Sequence, residues 1–296
     1  MRAARSCSAL VFVLAGALSA QAPDTDIFLA PIRRIGDSIV VGPATNITHR
    51  VGYDNQPGFL PNSRGILYTV VGADGQADIW RYDIAERRTS RVTSTPESEY
   101  SAAVMPGGFR MSVIRVEADS TQRLWSFGLD GTNPQLLLTA LKPVGYHAWL
   151  SASKLVTYVL GTPSTLHVID SDGSRDEIRA RDVGRALQRI PGKDAFSYAQ
   201  RDSTRSFWIM TQSVNGESEQ QLVRAPADNE YHAWTPDAVL LSATAGRLVR
   251  WNRALDASRA WLPVADLSKS GVKNVSRLAV SPDGKWLAFV AEPVSR

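Results

Sequence analysis

Near its carboxyl end the chain reads Leu278-Ala-Val-Ser-Pro-Asp-Gly-Lys-Trp-Leu-Ala-Phe-Val290, and this stretch indicates the fold. It predicts a short strand, a tight turn and a second strand, because proline presets φ for a turn while aspartate and glycine tolerate left-handed backbone. The same unit recurs along the chain. Its turn positions are Pro61, Pro106, Ser151, Pro191, Pro236 and Pro282. Their spacings of 45, 45, 40, 45 and 46 residues indicate six repeats of one structural unit.

Each repeat continues with a third strand that carries an aromatic residue, such as Asp78-Ile-Trp-Arg-Tyr-Asp83. A shorter fourth strand follows, such as Arg91-Val-Thr93. Four short strands every 40 to 46 residues are typical of β-propeller blades. We therefore predict an all-β fold, a six-bladed β-propeller of four-stranded antiparallel blades. An open β-solenoid or a sandwich is the alternative.

The two ends of the chain carry complementary parts of one blade. The last repeat stops after its second strand, at Val290. Asp26-Ile-Phe-Leu-Ala-Pro31 matches the third-strand pattern, and Thr45-Asn-Ile-Thr48 matches the fourth. We therefore expect the N-terminal strands to complete the last blade and close the ring, which removes open sheet edges. A solenoid or a sandwich does not explain these half-blades. Residues 23–296 are predicted to form this single domain.

Residues 1–22 have the pattern of a secretory signal peptide. A basic start precedes an apolar run from Ala9 to Ala20, which is too short to span a bilayer. Cleavage after Ala20 or Ala22 fits the small residues there, and an uncleaved membrane anchor is the alternative. We expect the mature protein to be periplasmic or secreted. Cys7 is the chain's only cysteine, so the mature protein would have no disulfide.

The composition is that of an ordinary globular protein. Of 296 residues, 44% are hydrophobic and 21% are charged. Basic residues exceed acidic ones by four, and by only two once Arg2 and Arg5 are removed. No Lys/Arg cluster of the kind that binds phosphates is present, so we expect no nucleic-acid partner. No second apolar run approaches 18 residues, so we expect no transmembrane segment in the mature chain.

Four segments carry a resemblance to a known family. They are Gly52-Tyr-Asp-Asn-Gln-Pro57, Phe59-Leu-Pro61, Ile66-Leu-Tyr68 and Ser281-Pro-Asp-Gly284. The repeats resemble those of TolB-type propellers, which are WD-repeat-like, over residues 26–292. In detail the chain is similar to uncharacterised exported TolB-like proteins of bacteria. The resemblance implies the fold but carries TolB's role in an envelope complex only weakly, because no segment matches TolB's extra N-terminal α/β domain.

One mouth of the central channel is the expected binding site. In this topology, the loops that lead into the inner strands share a face with the loops between the second and third strands. Propeller ligands usually bind where these loops converge, so polar residues there are candidates. The candidate ligand-binding residues are Asn55, Gln56, Tyr100, Glu117, Asp119, Arg123, Tyr146, His147, Arg185, Glu230, Tyr231 and His232.

The segment Tyr146-His-Ala-Trp149 recurs two blades later as Tyr231-His-Ala-Trp234. Two imidazoles that converge on the axis could bind a divalent metal, with a Gln or Glu completing the shell. The alternative is that His147 and His232 are packed at the mouth and hydrogen-bonded to neighbouring loops. Both tryptophans are expected in the core between blades. We expect no cofactor, with a divalent metal on these two histidines as the alternative.

Catalytic motifs are absent from the sequence. It contains no Gly-x-Ser-x-Gly, no His-Glu-x-x-His, no Cys-x-x-Cys and no phosphate-binding glycine loop. The leading hypothesis is therefore a non-catalytic module that binds an envelope protein, peptide or glycan at the channel mouth. A metal-assisted lyase or hydrolase acting at the mouth through the two histidines is the second hypothesis. A structural scaffold that uses its rim is the third.

Overall fold

A computed structural model describes residues 23–227, 229–252 and 260–295. The predicted signal peptide, residues 1–22, lies outside the described residues. In the described ranges no helix is long and apolar enough to cross a membrane. The helical element there is a single short 3₁₀ helix, Leu267–Ser270, and the rest of the regular structure is β-strand.

The strands follow one another along the chain as successive four-stranded units. The first described strands are β1 (Asp26–Ile35), β2 (Ser38–Val41) and β3 (Thr45–Asn46). Blade 1 is β4 (Asp54–Phe59), β5 (Gly65–Val71), β6 (Ala77–Asp83) and β7 (Arg88–Arg91). Blade 2 is β8 (Ser98–Val104), β9 (Arg110–Val116), β10 (Gln122–Gly128) and β11 (Gln135–Leu136). Blade 3 is β12 (Val144–Trp149), β13 (Lys154–Val159), β14 (Thr165–Asp170) and β15 (Asp176–Arg181).

The remaining strands complete the ring. Blade 4 is β16 (Val183–Arg189), β17 (Ala195–Arg201), β18 (Phe207–Ser213) and β19 (Glu219–Arg224). Blade 5 is β20 (His232–Trp234), β21 (Leu240–Thr244), β22 (Arg247–Trp251) and β23 (Leu262–Asp266). The last strands are β24 (Val272–Lys273), β25 (Leu278–Val280) and β26 (Trp286–Pro293). All pairings within the blades are antiparallel, which confirms the predicted six-bladed propeller.

Both ends of the chain meet in blade 6, as predicted. Strand β25 pairs with β26, β26 pairs with β1, and β1 pairs with β3. In the register of β1 on β26, Phe28 lies opposite Phe289, and their rings stack with centroids 5.4 Å apart. One feature was not predicted: β1 continues to Ile35 and pairs there with β2, so a hairpin projects beyond the blade. The pairing of β1 with β26 joins the chain ends without a disulfide.

The Ser-Pro-Asp-Gly turn owes its shape to a serine hydroxyl as well as to glycine. Gly284 has φ of +70°, a left-handed conformation that a residue without Cβ adopts readily. The buried Ser281 hydroxyl donates to Asp283 and accepts from the backbone N–H of Trp286, at 2.7 and 2.9 Å. The Ser281 hydroxyl thus provides a hydrogen-bond partner for a backbone N–H near the tight turn. The turn between the first and second strands of each blade lies on one face of the ring, here named the turn face.

The core is continuous from blade to blade because neighbours pack on both sides of each sheet. Ile27, Tyr68 and Val290 belong to one cluster that joins blade 6 to blade 1. Val156 and Tyr198 belong to another that joins blade 3 to blade 4. Burying each such large apolar side chain contributes about 1.5–3 kcal/mol. Packing of this kind stabilises the ring around its axis and positions the inner strands that line the channel.

The connection between blades 3 and 4 explains the one short spacing between repeats. Strand β15 ends at Arg181 and β16 begins at Val183, so a single residue joins the two blades. That residue, Asp182, has φ of +56°, which turns the chain sharply toward the axis. The spacing of 40 residues between Ser151 and Pro191 therefore reflects a shortened linker. Both blades keep four strands.

Candidate functional site

Each of the six inner strands, or the residue just before it, brings one aromatic or basic side chain to the channel, on the face opposite the turns, here named the loop face. These residues, called the collar, are Tyr53, Tyr100, Tyr146, Arg185, Tyr231 and Arg277. The inner strands of blades 1 to 4 have a bulge or register shift in this region. A bulge re-aims a side chain relative to a regular strand. The directions of the collar side chains therefore depend on irregularities in the inner strands as well as on the sequence repeat.

Arg277 lies at the centre of the collar. Its guanidinium carbon is 4.2 Å from the ring centroid of Tyr231 and 4.8 Å from that of Tyr146. Its Nη2 donates a hydrogen bond of 2.9 Å to the Tyr146 hydroxyl. Arg277 belongs to blade 6 and Tyr146 to blade 3, which stand opposite each other in a ring of six. Cation–π contacts of this geometry stabilise the arrangement, and the side chains cross the axis and divide the channel.

An ion pair between the exposed Arg185 and the buried Glu230 forms the second basic position of the collar. Nε of Arg185 donates to Oε1 of Glu230 over 2.7 Å, and the backbone N–H of Arg185 donates to Oε2 over 2.8 Å. Glu230 is only 7% exposed. Burial opposes the charge on Arg185, yet the neighbouring Tyr231 and Glu230 hold the pKa of its guanidinium above the ordinary value. Both carboxylate oxygens of Glu230 thus accept hydrogen bonds from Arg185.

Tyr53, Tyr100 and Tyr231 of the collar are neutral hydrogen-bonding groups. Burial raises the pKa of Tyr231 to about 12, against the opposing influence of Arg277. Burial likewise raises the pKa of Tyr53 and of Tyr100 above their ordinary value. Their hydroxyls therefore stay protonated at neutral pH and can donate as well as accept. With Glu230 paired to Arg185, the charge that remains at the collar is the positive charge of Arg277.

Three cavities surround the collar. The turn-side chamber, of about 500 Å³, extends from the collar to the turn face, where Pro61 and Pro282 line it. Two recesses lie toward the loop face, with volumes of about 520 and 940 Å³. Tyr146 and Arg185 line all three cavities. The collar is thus accessible from both sides of the ring.

The two predicted histidines are held in the channel wall by the preceding blade. Nε2 of His147 lies 2.6 Å from the Ser112 hydroxyl, which also accepts from Nε1 of Trp149 at 2.9 Å. The second repeat is the same: the Ser197 hydroxyl lies 2.8 Å from both Nε2 of His232 and Nε1 of Trp234. These two sets are called the serine triads. Each lies between two blades, blades 2 and 3 for the first and blades 4 and 5 for the second.

Burial keeps both imidazoles of the serine triads uncharged at neutral pH. It lowers the pKa of His147 to about 4, and it lowers that of His232 to about 4 against the opposing backbone carbonyl of Glu230. Nδ1 of His147 is buried without a hydrogen-bond partner. Within the described ranges, no group of three or more His, Cys, Asp or Glu side chains could hold a metal ion. The geometry therefore offers no support for a shared metal, which stays a prediction.

Two further predicted residues lie where blade 1 meets the channel. The Gln56 side chain accepts from the Thr69 hydroxyl at 2.7 Å and from the backbone N–H of Ser101 at 2.8 Å. It therefore links blade 1 to blade 2 and also lines the turn-side chamber. Asn55 is buried, accepts from the backbone N–H of Gln56 and lines the larger recess.

Three predicted residues lie on the hairpin between β9 and β10 and line none of the three cavities. Glu117 pairs with Arg123 at 3.4 Å and accepts from Nε1 of Trp125 at 2.9 Å. Asp119 is exposed and accepts from the backbone N–H of Thr121. Their contacts hold the hairpin itself. The structure therefore brings Asn55, Gln56, Tyr100, Tyr146, Arg185, Glu230, Tyr231 and both histidines to the cavities, and leaves these three apart.

Two collar residues, Tyr53 and Arg277, are absent from the predicted ligand-binding residues, although Tyr53 belongs to a segment that leads into an inner strand. The signal for Arg277 is its offset, since it precedes the turn at Pro282 by five residues. Tyr146 and Tyr231 stand at the same offset from the turns of their own blades. Aligning the repeats on their turns therefore places Arg277 beside the two tyrosines. Tyr53 precedes the predicted Asn55 by two residues and carries no such signal.

Comparison with known proteins agrees with the fold. No protein-family model matches the chain. A putative TolB from Agrobacterium tumefaciens is 14% identical with a TM-score of 0.64, over 90% of this chain and 98% of that one. A gluconolactonase from Xanthomonas campestris is 9% identical with a TM-score of 0.63, over 93% and 99%. An oligogalacturonate lyase in complex with manganese is 14% identical with a TM-score of 0.55, over 84% and 80%.

Identities this low establish likeness of fold and leave activity open. The six antiparallel blades, the closure of blade 6 by both chain ends and the match to a TolB structure agree with one another. The chain therefore has the fold of the TolB-like β-propellers.

Proposed function

We propose that the protein is an exported, periplasmic or secreted binding module whose collar recognises an envelope protein, peptide or glycan at the loop face. The observation that carries the proposal is the collar itself. Six side chains from six blades present tyrosine hydroxyls and guanidinium groups on rigid inner strands. Tyrosine and arginine are the residues that most often dominate binding surfaces, since both combine contact area with hydrogen bonding.

The rigid scaffold supports this proposal as well. Arg185 and Glu230 are locked together by two hydrogen bonds, and Arg277 is held between two aromatic rings. Side chains already fixed in place lose little conformational entropy when a ligand arrives. The two recesses beside the collar, of about 520 and 940 Å³, leave room for protruding groups of a ligand.

The test compares two charge-neutralised pairs. The double variant Arg185→Gln/Glu230→Gln removes the collar's ion pair while keeping side chains of similar shape. Its matched control is Arg91→Gln/Asp78→Asn, which removes a pair of the same 2.7 Å length on the outer strands of blade 1. Purified protein is immobilised and exposed to envelope extract, and bound components are identified. We expect one component to be lost with the collar variant and kept with the control.

Capture that is equal for both variants would contradict recognition at the collar and would favour a scaffold that uses its rim. Enzymatic treatment of the extract then distinguishes the ligand classes. Protease treatment of the extract abolishes capture of a protein or peptide, while glycan-degrading treatment abolishes capture of a glycan.

A metal-assisted lyase or hydrolase is the second candidate function. Its support is that a gluconolactonase and a manganese-bound oligogalacturonate lyase share the fold. The residues support it less, because Nε2 of His147 and Nε2 of His232 each meet a serine. Elemental analysis of the wild type beside His147→Ala/His232→Ala tests it. Stoichiometric metal that disappears in the variant would favour the enzyme.

A further inference from the structure

The turn-side chamber has the size and lining of a small-molecule pocket. Its volume of about 500 Å³ lies within the usual range of 300–1,000 Å³. Trp149, Trp234 and Phe59 line it, together with small apolar residues of the inner strands. Arg277, Tyr146 and Tyr231 of the collar lie at its inner end. The chamber thus combines apolar and polar wall residues with a guanidinium group at its inner end.

Arg277 has no carboxylate partner within the described ranges. Its one side-chain hydrogen bond there goes to the hydroxyl of Tyr146. Glu230, the acidic residue among the predicted residues beside the collar, uses both oxygens on Arg185. A half-buried cation without a protein counter-ion attracts an anion more strongly than an exposed cation does, because solvent screens it less.

The stacking of Arg277 also determines how an anion would bind. Tyr146 and Tyr231 contact the guanidinium through their rings, and one N–H is used by the Tyr146 hydroxyl. The guanidinium carries five N–H donors in its plane, so its other edge remains open. A planar carboxylate matches that edge with two parallel hydrogen bonds.

We propose that the turn-side chamber binds a small organic carboxylate, with its carboxylate on Arg277 and a flat apolar face against Trp149 and Trp234. This site is separate from the macromolecular site proposed at the loop face. The two share Arg277 and the collar tyrosines as a partition, but ligands approach them from opposite sides. The same chemistry could come from an aromatic acid, a uronic acid or a peptide C-terminus.

Calorimetric titration with matched probe pairs tests the proposal on the purified protein. The carboxylates are phenylacetate, galacturonate and N-acetylphenylalanine, and their neutral partners are phenylacetamide, galactose and N-acetylphenylalaninamide. We expect at least one carboxylate to bind saturably while its neutral partner binds at least 10-fold more weakly. The pair that responds identifies the source. Failure of every carboxylate to exceed its neutral partner would overturn the proposal.

Variants then locate the site. Arg277→Gln should weaken the responding carboxylate by about 10- to 100-fold, the usual effect of losing hydrogen bonds to a charged group. Arg277→Lys should weaken it less, because lysine keeps the charge and loses the paired donors. Gln188→Trp fills the chamber wall, leaves Arg277 in place and should also abolish binding. Unchanged affinity in correctly folded Arg277→Gln or Gln188→Trp would overturn the assignment.

Lys273→Gln is the matched control, since it removes a positive charge from the larger loop-side recess. We expect its affinity for the carboxylate to equal that of the wild type. A loss as large as that of Arg277→Gln would place the anion on the loop face and overturn the chamber as the site. Envelope capture and carboxylate titration use different variants, so either proposal can fail while the other stands.

Discussion

The serine triads make a strong prediction about stability. Ser197→Ala removes the hydroxyl that meets both Nε2 of His232 and Nε1 of Trp234 at 2.8 Å. His232 is only 1% exposed, so water cannot replace the lost partner at its ring without a cavity opening. Ser112→Ala is the equivalent change in the other triad.

The expected magnitude follows from the number of bonds lost. A net contribution of about 1 kcal/mol for each hydrogen bond predicts a loss of about 2 kcal/mol in the free energy of unfolding for either single variant. The two triads share no partner and lie at different blade junctions, so their effects should add to about 4 kcal/mol in the double variant. For a chain of this size, each single change should lower Tm by roughly 4–8 °C.

Urea denaturation followed by tryptophan fluorescence and by far-ultraviolet circular dichroism measures the loss. Ser90→Ala, on the exposed outer strand β7, is the control and should stay within about 0.5 kcal/mol of the wild type. Ser197→Thr keeps a hydroxyl and should recover part of the loss. A loss below about 0.5 kcal/mol in both Ser112→Ala and Ser197→Ala would refute the claim that these hydroxyls join the blades.

Three further predictions concern pH and ring closure. Burial raises the pKa of Asp54 to about 6 from 3.8, so its contribution to stability is present below pH 3.8 and is lost as pH rises through 6. Asp54→Asn should flatten that part of the stability profile, measured by chemical denaturation, by about 3 kcal/mol. The triad histidines act in the opposite direction: with a folded pKa of about 4, their contribution to stability is present above pH 6.5 and is lost as pH falls toward 4. The double variant His147→Gln/His232→Gln should therefore make the free energy of unfolding less dependent on pH between 4 and 6.5. An unchanged slope in that range would contradict the low pKa of the two histidines. Phe28→Ala removes the ring that stacks on Phe289 and should cost about 3–5 kcal/mol, measured by the same denaturation, while a loss under 1 kcal/mol would contradict the importance of that closing contact.

Local chemistry accounts for what could be predicted of the fold. Turn residues such as Pro282 and Gly284 act through their own backbone preferences, so they mark the blades without knowledge of the neighbours. The half-blades at the two chain ends are readable for the same reason, since each strand carries its own hydrophobic pattern. The site was predictable only as a region: Tyr146 and Tyr231 could be placed near the axis because they lie close to the start of inner strands.

The sequence by itself therefore determined the number of blades, their four-stranded pattern and the closure of the ring by both ends. Tertiary structure alone decided which side chains meet on the axis. Arg277 reaches Tyr146 across the channel although the two residues are 131 positions apart, and no local pattern reports such a contact. The imidazoles of His147 and His232 meet serines of the preceding blade instead of each other. The physical reason is that backbone preference acts over a few residues, whereas the direction of a channel side chain depends on bulges and on the packing of two neighbouring blades.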